Sequence, residues 1–124
     1  MNIRLQDGLP FVEVTLDHQG QRLVLPDILL DTGSAGSLLS ADERLKINVS
    51  LEPLDPLRRI RGVGGSEFVF IKTLDRLTVG ALSASAFAVE VGALDYGFPL
   101  HGILGMDFLR QTRAVINLDT LTLT

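Results

Sequence analysis

The stretch PDILLDTGSAGSLLS, residues 26–40, places an ionisable group at the end of an apolar run. Ile28, Leu29 and Leu30 lead directly into Asp31, and Thr-Gly-Ser follows it. A short apolar run bounded by turn residues is typical of a buried strand, whereas a carboxylate is costly to bury without a partner. Asp31 is therefore the first candidate for a residue that serves chemistry rather than packing.

Alternation of apolar and polar residues extends outward from this stretch in both directions and predicts strands. The alternating runs form hairpins over residues 11–25, 57–74, 76–91 and 113–124. Two short helices are expected, one at about residues 41–45, after the S-x-x-E spacing of Ser40 and Glu43, and one over residues 106–111. The pattern predicts an all-β domain built on a closed or nearly closed barrel.

Length, composition and net charge limit the classes of function that the protein can have. The 124 residues predict one domain, residues 1–124, and the absence of cysteine excludes disulfides and thiolate chemistry. We expect a cytoplasmic protein, because the first residues show no signal peptide and no apolar run approaches the ~20 residues of a membrane helix. The net charge of -4 argues against nucleic-acid binding, and the isolated His18 and His101 predict no metal site.

Residues 28–34, ILLDTGS, resemble the active-site signature of the aspartic proteases. Residues 103–109, ILGMDFL, resemble the second signature of that family, and the glycine-rich tip GVGG at residues 62–65 stands between them, where the family has its flap. The resemblance covers about residues 10–118. A single D-T-G motif makes the likeness specific to the retropepsins, the retroviral-type single-domain branch, since the pepsin branch carries two motifs in a chain more than twice as long.

This resemblance implies an aspartic endopeptidase with Asp31 as its catalytic residue. Two carboxyl groups that share one proton supply an acid and a base to a water between them. One chain offers one such residue, so a homodimer would bring two Asp31 residues together about a two-fold axis. The expected partners are a second copy and a peptide or protein substrate, without nucleic acid, membrane, metal or organic cofactor. The terminal segments, residues 1–6 and 121–124, are apolar enough to join two chains, although edge strands of a monomer show the same pattern.

The residues after Asp31 receive supporting roles from the resemblance. Gly33 permits a sharp turn that brings its N–H near the carboxylate, and Thr32 resembles the residue whose hydroxyl reaches the partner chain. Ser34 can donate a hydrogen bond to the outer oxygen of Asp31. Because such a donor favours the ionised carboxylate, we expect a more acidic activity optimum than for a Ser34→Ala variant.

The flap residues and the subsite residue each have an alternative interpretation. Gly62, Val63, Gly64 and Gly65 resemble a flap tip that closes over substrate, but a plain hairpin turn is equally rich in glycine. Ile103 is a candidate wall of an apolar subsite or a core residue. A second function is also compatible with the sequence, namely a peptide- or protein-binding dimer on the same fold with little or no proteolysis.

Overall fold

The computed structural model describes residues 1–40, 57–62, 65–92 and 100–124, with residues 57–62 and 65–69 described by their backbone. The elements in chain order are β1 (Arg4–Gln6), β2 (Leu9–His18), β3 (Gln21–Leu30), β4 (Leu38–Ser40), β5 (Leu57–Gly62), β6 (Gly65–Val79), β7 (Leu82–Gly92), β8 (Gly102–Leu104), α1 (Met106–Gln111), β9 (Ile116–Asn117) and β10 (Thr122–Leu123).

Six of these strands close a barrel. The sheet order is β1-β2-β3-β8-β4-β7-β6-β5, and an additional antiparallel pairing of β2 with β6 closes the ring. Strands β1 and β5 continue the sheet outside the ring. The expectation of an all-β, closed barrel is confirmed. Among the residues that the structure describes, no helix is long and apolar enough to cross a membrane.

The ring brings the two signature segments side by side. Strand β8 runs parallel to the end of β3, so that Leu29 lies opposite Ile103 and Leu30 lies opposite Leu104. On its other side β8 pairs with β4, where Leu38 lies opposite Ile103. The end of β3, which leads into Asp31, is therefore fixed by a strand far away in the sequence.

Strand alternation divides the apolar side chains between two clusters. The main core includes Val12, Val14 and Leu16 of β2 on one face, together with Leu30 of β3. The neighbouring Leu29 points to the opposite face and belongs to a second, smaller cluster. Phe108 of α1 is fully buried in the main core. Its ring meets Phe87 edge to face, with 5.7 Å between ring centroids, which is a favourable aromatic geometry.

The two terminal segments pair with each other inside one chain. Asn2 forms a β-bridge with Thr122. The Ile3 N–H donates to the carbonyl oxygen of Leu121 at 2.8 Å, and the Leu123 N–H donates to that of Met1 at 2.9 Å. Ile3 and Leu123 are both buried. The apolar alternation of these segments thus serves a contact within the chain.

The secondary-structure predictions hold with one difference: the strand expected to end at residue 74 and the strand expected to begin at residue 76 are one continuous strand, β6. The four expected hairpins correspond to β2–β3, β5–β6, β6–β7 and β9–β10, and the helix over residues 106–111 is α1. The helix expected at residues 41–45 lies outside the described residues.

Candidate active site

Asp31 begins a tight turn directly after β3. Its backbone N–H donates to the carbonyl oxygen of Leu104 at 3.0 Å, which continues the β3–β8 ladder by one residue. Its own carbonyl accepts from the Ser34 N–H at 3.2 Å, and its carboxylate Oδ1 accepts from the Gly33 N–H at 2.9 Å. The side chain is half-buried. The predicted contact between the Gly33 N–H and the carboxylate is confirmed, so the backbone of the turn orients Asp31.

The first turn of α1 forms backbone hydrogen bonds with this loop. The N–H groups at a helix N-terminus lack partners inside the helix. Here the Met106 N–H donates to the carbonyl oxygen of Ser34 at 2.8 Å, and the Asp107 N–H donates to that of Ala35 at 3.1 Å. The loop and the helix therefore satisfy each other's backbone groups, and the position of Asp31 depends on the position of α1.

The Asp107 carboxylate and the Ser37 hydroxyl add side-chain hydrogen bonds between the loop and α1. Asp107 Oδ1 accepts from the Ser37 hydroxyl at 2.7 Å, and Oδ2 accepts from the Ser37 N–H at 3.1 Å. The Ser37 hydroxyl oxygen in turn accepts from the Gly105 N–H at 2.9 Å. Ser37 is buried, so these bonds form away from water, where an unpaired partner would be costly. Ser37 is a supporting residue that the sequence motifs did not indicate.

Two concavities adjoin the Asp31 loop. Thr32, which is exposed, lines one of about 490 Å³. Its other walls come from α1 and the segment after it: Met106, Leu109, Arg110, Arg113, Ala114 and Ile116. The second, of about 260 Å³, lies between residues 35–37 of the loop and strands β6 and β7. The described part of the chain contains no group of three His, Cys, Asp or Glu side chains arranged to hold a metal ion.

A family model described as aspartyl protease matches residues 12–108. The chain belongs to the aspartyl protease family. The matched region runs from β2 into α1, so it includes both the Asp31 loop and the segment that supports it. The family assignment is of the retropepsin-like type, as the sequence motifs indicated. No curated protein matches the chain.

Two of the expected roles differ from what the structure shows of this family member. The Ser34 hydroxyl donates to the carbonyl oxygen of Gly36 at 2.7 Å, not to Asp31. A hydroxyl has one proton to donate, so the expected bond to the carboxylate is wrong. Ile103 is 4% exposed and packs with Phe11 and Leu29, which favours the core alternative over a subsite wall.

The flap residues are described only in part. The pairing of β5 with β6 extends to Gly62 opposite Gly65, which is the end of a long antiparallel hairpin. Val63 and Gly64 lie outside the described residues. The predicted hairpin is therefore present, and the closing of its tip over a substrate is a proposal.

Proposed function

We propose that the chain is an aspartic endopeptidase whose active site forms between two copies, each of which supplies one Asp31. This proposal rests on one observation, the position and the hydrogen bonding of the Asp31 carboxylate. Its carboxylate lies half-buried on a loop that backbone hydrogen bonds join to β8 and α1, and within the described residues its hydrogen-bond partner is the Gly33 N–H alone. An oriented carboxylate next to an exposed Thr32 is suited to meet a second carboxylate that another chain brings.

The proposed reaction divides the acid and base roles between the two carboxyl groups. Like charges at short range cannot both ionise, so the pair holds one proton. The protonated Asp31 donates to the oxygen of the scissile carbonyl, while the ionised one accepts a proton from the attacking water. Water oxygen bonds to the carbonyl carbon to give a diol. The C–N bond of this diol breaks as the nitrogen takes up the proton that the base received from water, while a diol hydroxyl returns a proton to the other carboxylate. No covalent bond to the protein forms.

We propose extended, largely apolar peptide segments as the substrate. In this proposal the β5–β6 hairpin closes over the peptide through Gly62, Val63, Gly64 and Gly65, and its closure removes water from the site. The concavity of about 260 Å³ beside residues 35–37 supplies a place for one side chain of the peptide. Thr32 contacts the partner chain near the two-fold axis.

Activity per chain is expected to fall in step with the dimer fraction when the protein is diluted. The reason is that a monomer holds half of the proposed carboxylate pair. Sedimentation across a dilution series, run beside cleavage of an unfolded protein at acidic pH, measures both quantities on one sample. Full activity in a fraction that sediments as monomer would contradict the shared site. A dimer that binds peptides but cleaves none would indicate the binding-module alternative.

Ser34→Ala is expected to leave the pH profile of cleavage unchanged. The Ser34 hydroxyl donates to the Gly36 carbonyl and not to the Asp31 carboxylate, so its removal changes no donor to Asp31. The loss of one loop hydrogen bond lowers the free energy of unfolding by about 1 kcal/mol. Profiles of kcat/KM against pH for the two proteins test this directly. An optimum that moves towards higher pH in the variant would indicate that Ser34 does donate to Asp31, as the sequence predicts.

A further inference from the structure

We propose that the concavity of about 490 Å³ beside Thr32 binds a small amphipathic carboxylate, an anion that carries an apolar chain, and that this ligand competes with the second copy of the protein. The ligand site is inferred from the side chains that line the concavity. The competition rests on the proposed function, because the second copy is proposed to meet the chain at Thr32.

The wall of the concavity is largely apolar. Leu109 is buried in the main core, and Met106, Ala114 and Ile116 are partly buried against that core. All four side chains line the concavity. Pockets that hold small molecules have volumes of about 300 to 1,000 Å³ and combine apolar walls with a few polar groups. A concavity of about 490 Å³ with this wall therefore suits an apolar chain.

The end of α1 folds back along this wall in a Schellman motif. The Ala114 N–H donates to the carbonyl oxygen of Leu109 at 2.8 Å. The Arg113 N–H donates to the carbonyl oxygen of Arg110 at 3.2 Å. These are the two backbone hydrogen bonds that define the motif. The turn brings the backbone of Arg113 next to that of Arg110, and both arginines line the concavity.

Arg113 occupies a backbone position at which glycine is usual. Its φ is 55°, in the left-handed region, where this motif commonly has glycine and sometimes asparagine. A residue with a Cβ is less stable in that region. The turn itself therefore gives no reason for an arginine at residue 113, whereas a role for its guanidinium in the concavity does.

The two guanidinium groups bring positive charge to the concavity that no carboxylate of the described residues neutralises. Neither Arg110 nor Arg113 forms an ion pair or a side-chain hydrogen bond there, whereas Arg4 pairs with Asp27 at 2.6 Å. Two neighbouring cations repel each other, and an anion between them removes that repulsion. The planar guanidinium matches a carboxylate through two parallel hydrogen bonds. Charge and apolar wall together favour an amphipathic carboxylate.

Thr32 connects this concavity to the proposed active site. It is exposed, it lines the concavity, and Asp31 directly precedes it. Because the proposed function places the second copy against Thr32, the ligand and the second copy require the same space. A ligand that binds one of two states shifts the equilibrium towards that state. The carboxylate is therefore expected to favour the monomer and to lower cleavage activity.

Isothermal titration calorimetry of the full chain with octanoate, at a chain concentration where the monomer predominates, measures the ligand site. Octanol has the same apolar chain without the charge, and acetate has the same charge without the chain. We expect the Kd for octanoate to be at least about tenfold lower than for either, because the wall and the guanidinium groups both contribute. An equal Kd for octanol would overturn the proposal, because the arginines would then have no role.

Arg113→Gly separates loss of the charge from loss of the fold. Glycine suits the left-handed φ of residue 113, so the midpoint of urea unfolding should not fall. We expect Arg113→Gly and Arg110→Gln each to raise the Kd for octanoate by about tenfold. Arg76→Gln changes an exposed arginine on β6 and should leave this Kd unchanged. Equal values of Kd for Arg113→Gly and the unsubstituted chain would overturn the proposal.

Sedimentation in the presence of octanoate tests the competition. At an octanoate concentration about ten times its Kd, the apparent Kd of the dimer is expected to rise by about a hundredfold, because each of the two chains must release its ligand to pair. An unchanged dimer fraction would overturn the competition. Activity that does not follow the dimer fraction would contradict the shared Asp31 site, whereas octanoate binding that depends on Arg113 would still uphold the ligand site. The two proposals therefore fail separately.

Discussion

Replacing Asp31 with asparagine is expected to lower kcat by about 10³-fold or more, with the dimer Kd unchanged. The amide has the shape of the carboxylate, and its oxygen can still accept the Gly33 N–H that now binds Oδ1 at 2.9 Å. It cannot accept a proton from water, so the base of the proposed pair is lost while the loop is retained. Cleavage of an unfolded protein at acidic pH, with sedimentation on the same samples, measures both effects.

The matched control is Asp7→Asn, the same change at an exposed turn between β1 and β2. Asp7 has a φ of 52°, a conformation that asparagine also adopts readily, so this variant should fold and cleave normally. Asp31→Asn that retains the activity of the control would contradict the catalytic role of Asp31.

Mixing the two proteins tests the stoichiometry of the proposed site. When the unsubstituted chain and Asp31→Asn are equimolar and exchange freely, about a quarter of the dimers hold two carboxylates, as random pairing about a two-fold axis requires. Activity per unsubstituted chain should therefore fall to about half. Activity that stays constant as the inactive chain is added would mean that each chain works alone.

The strands that the sequence predicts are those with one face towards the core. The alternation of Val12, Val14 and Leu16 with polar residues is a direct result of their burial along β2. The parallel pairings of β3 with β8 and of β4 with β7 join segments that are far apart in sequence. Alternation carries no information on such partners, because it reports which face of a strand is buried and not which strand lies beside it.

Sequence patterns report local contacts and not distant partners, and this explains which site residues the sequence identified. The backbone contact from Gly33 to Asp31 is local, and the D-T-G motif predicts it. The bonds between Ser37 and Asp107 join residues 70 positions apart. Asp107 lies in the second signature, residues 103–109, but no local pattern marks Ser37 as its partner. The sequence does not determine which acceptor the Ser34 hydroxyl meets, and only the folded backbone shows that it donates to the Gly36 carbonyl.

For the terminal segments, the sequence pattern correctly predicts strands but does not identify the strands with which they pair. Apolar alternation at both ends of the chain predicts strands that pair, but it does not say whether the partner belongs to the same chain. In the structure Ile3 and Leu123 are buried in one shared core, which places their pairing within the chain.

Gly105→Ala is expected to lower the free energy of unfolding by about 3 kcal/mol or more, because no space exists for the added methyl group. Its Cβ would lie 2.2 Å from the carbonyl oxygen of Gly36 and 2.9 Å from that of Ser34. The φ of Gly105 is -101°, which any residue adopts, so the cost comes from contact and not from backbone strain. Both blocking atoms belong to the Asp31 loop, so relief of the clash must move that loop and the start of α1 apart.

Gly36→Ala is the matched control, with the same added methyl group on the other side of this contact. Among the described residues, its Cβ would meet only the Glu90 carboxylate, at 3.7 Å, which is an ordinary van der Waals distance. We expect a change of less than about 1 kcal/mol, since the reduced entropy of the unfolded chain offsets small losses. Urea unfolding at one protein concentration gives both values from the midpoint and slope. If the two variants unfold at the same midpoint, the loop can move away from α1 at little cost, and the close packing of Gly105 against Gly36 does not hold Asp31 in place.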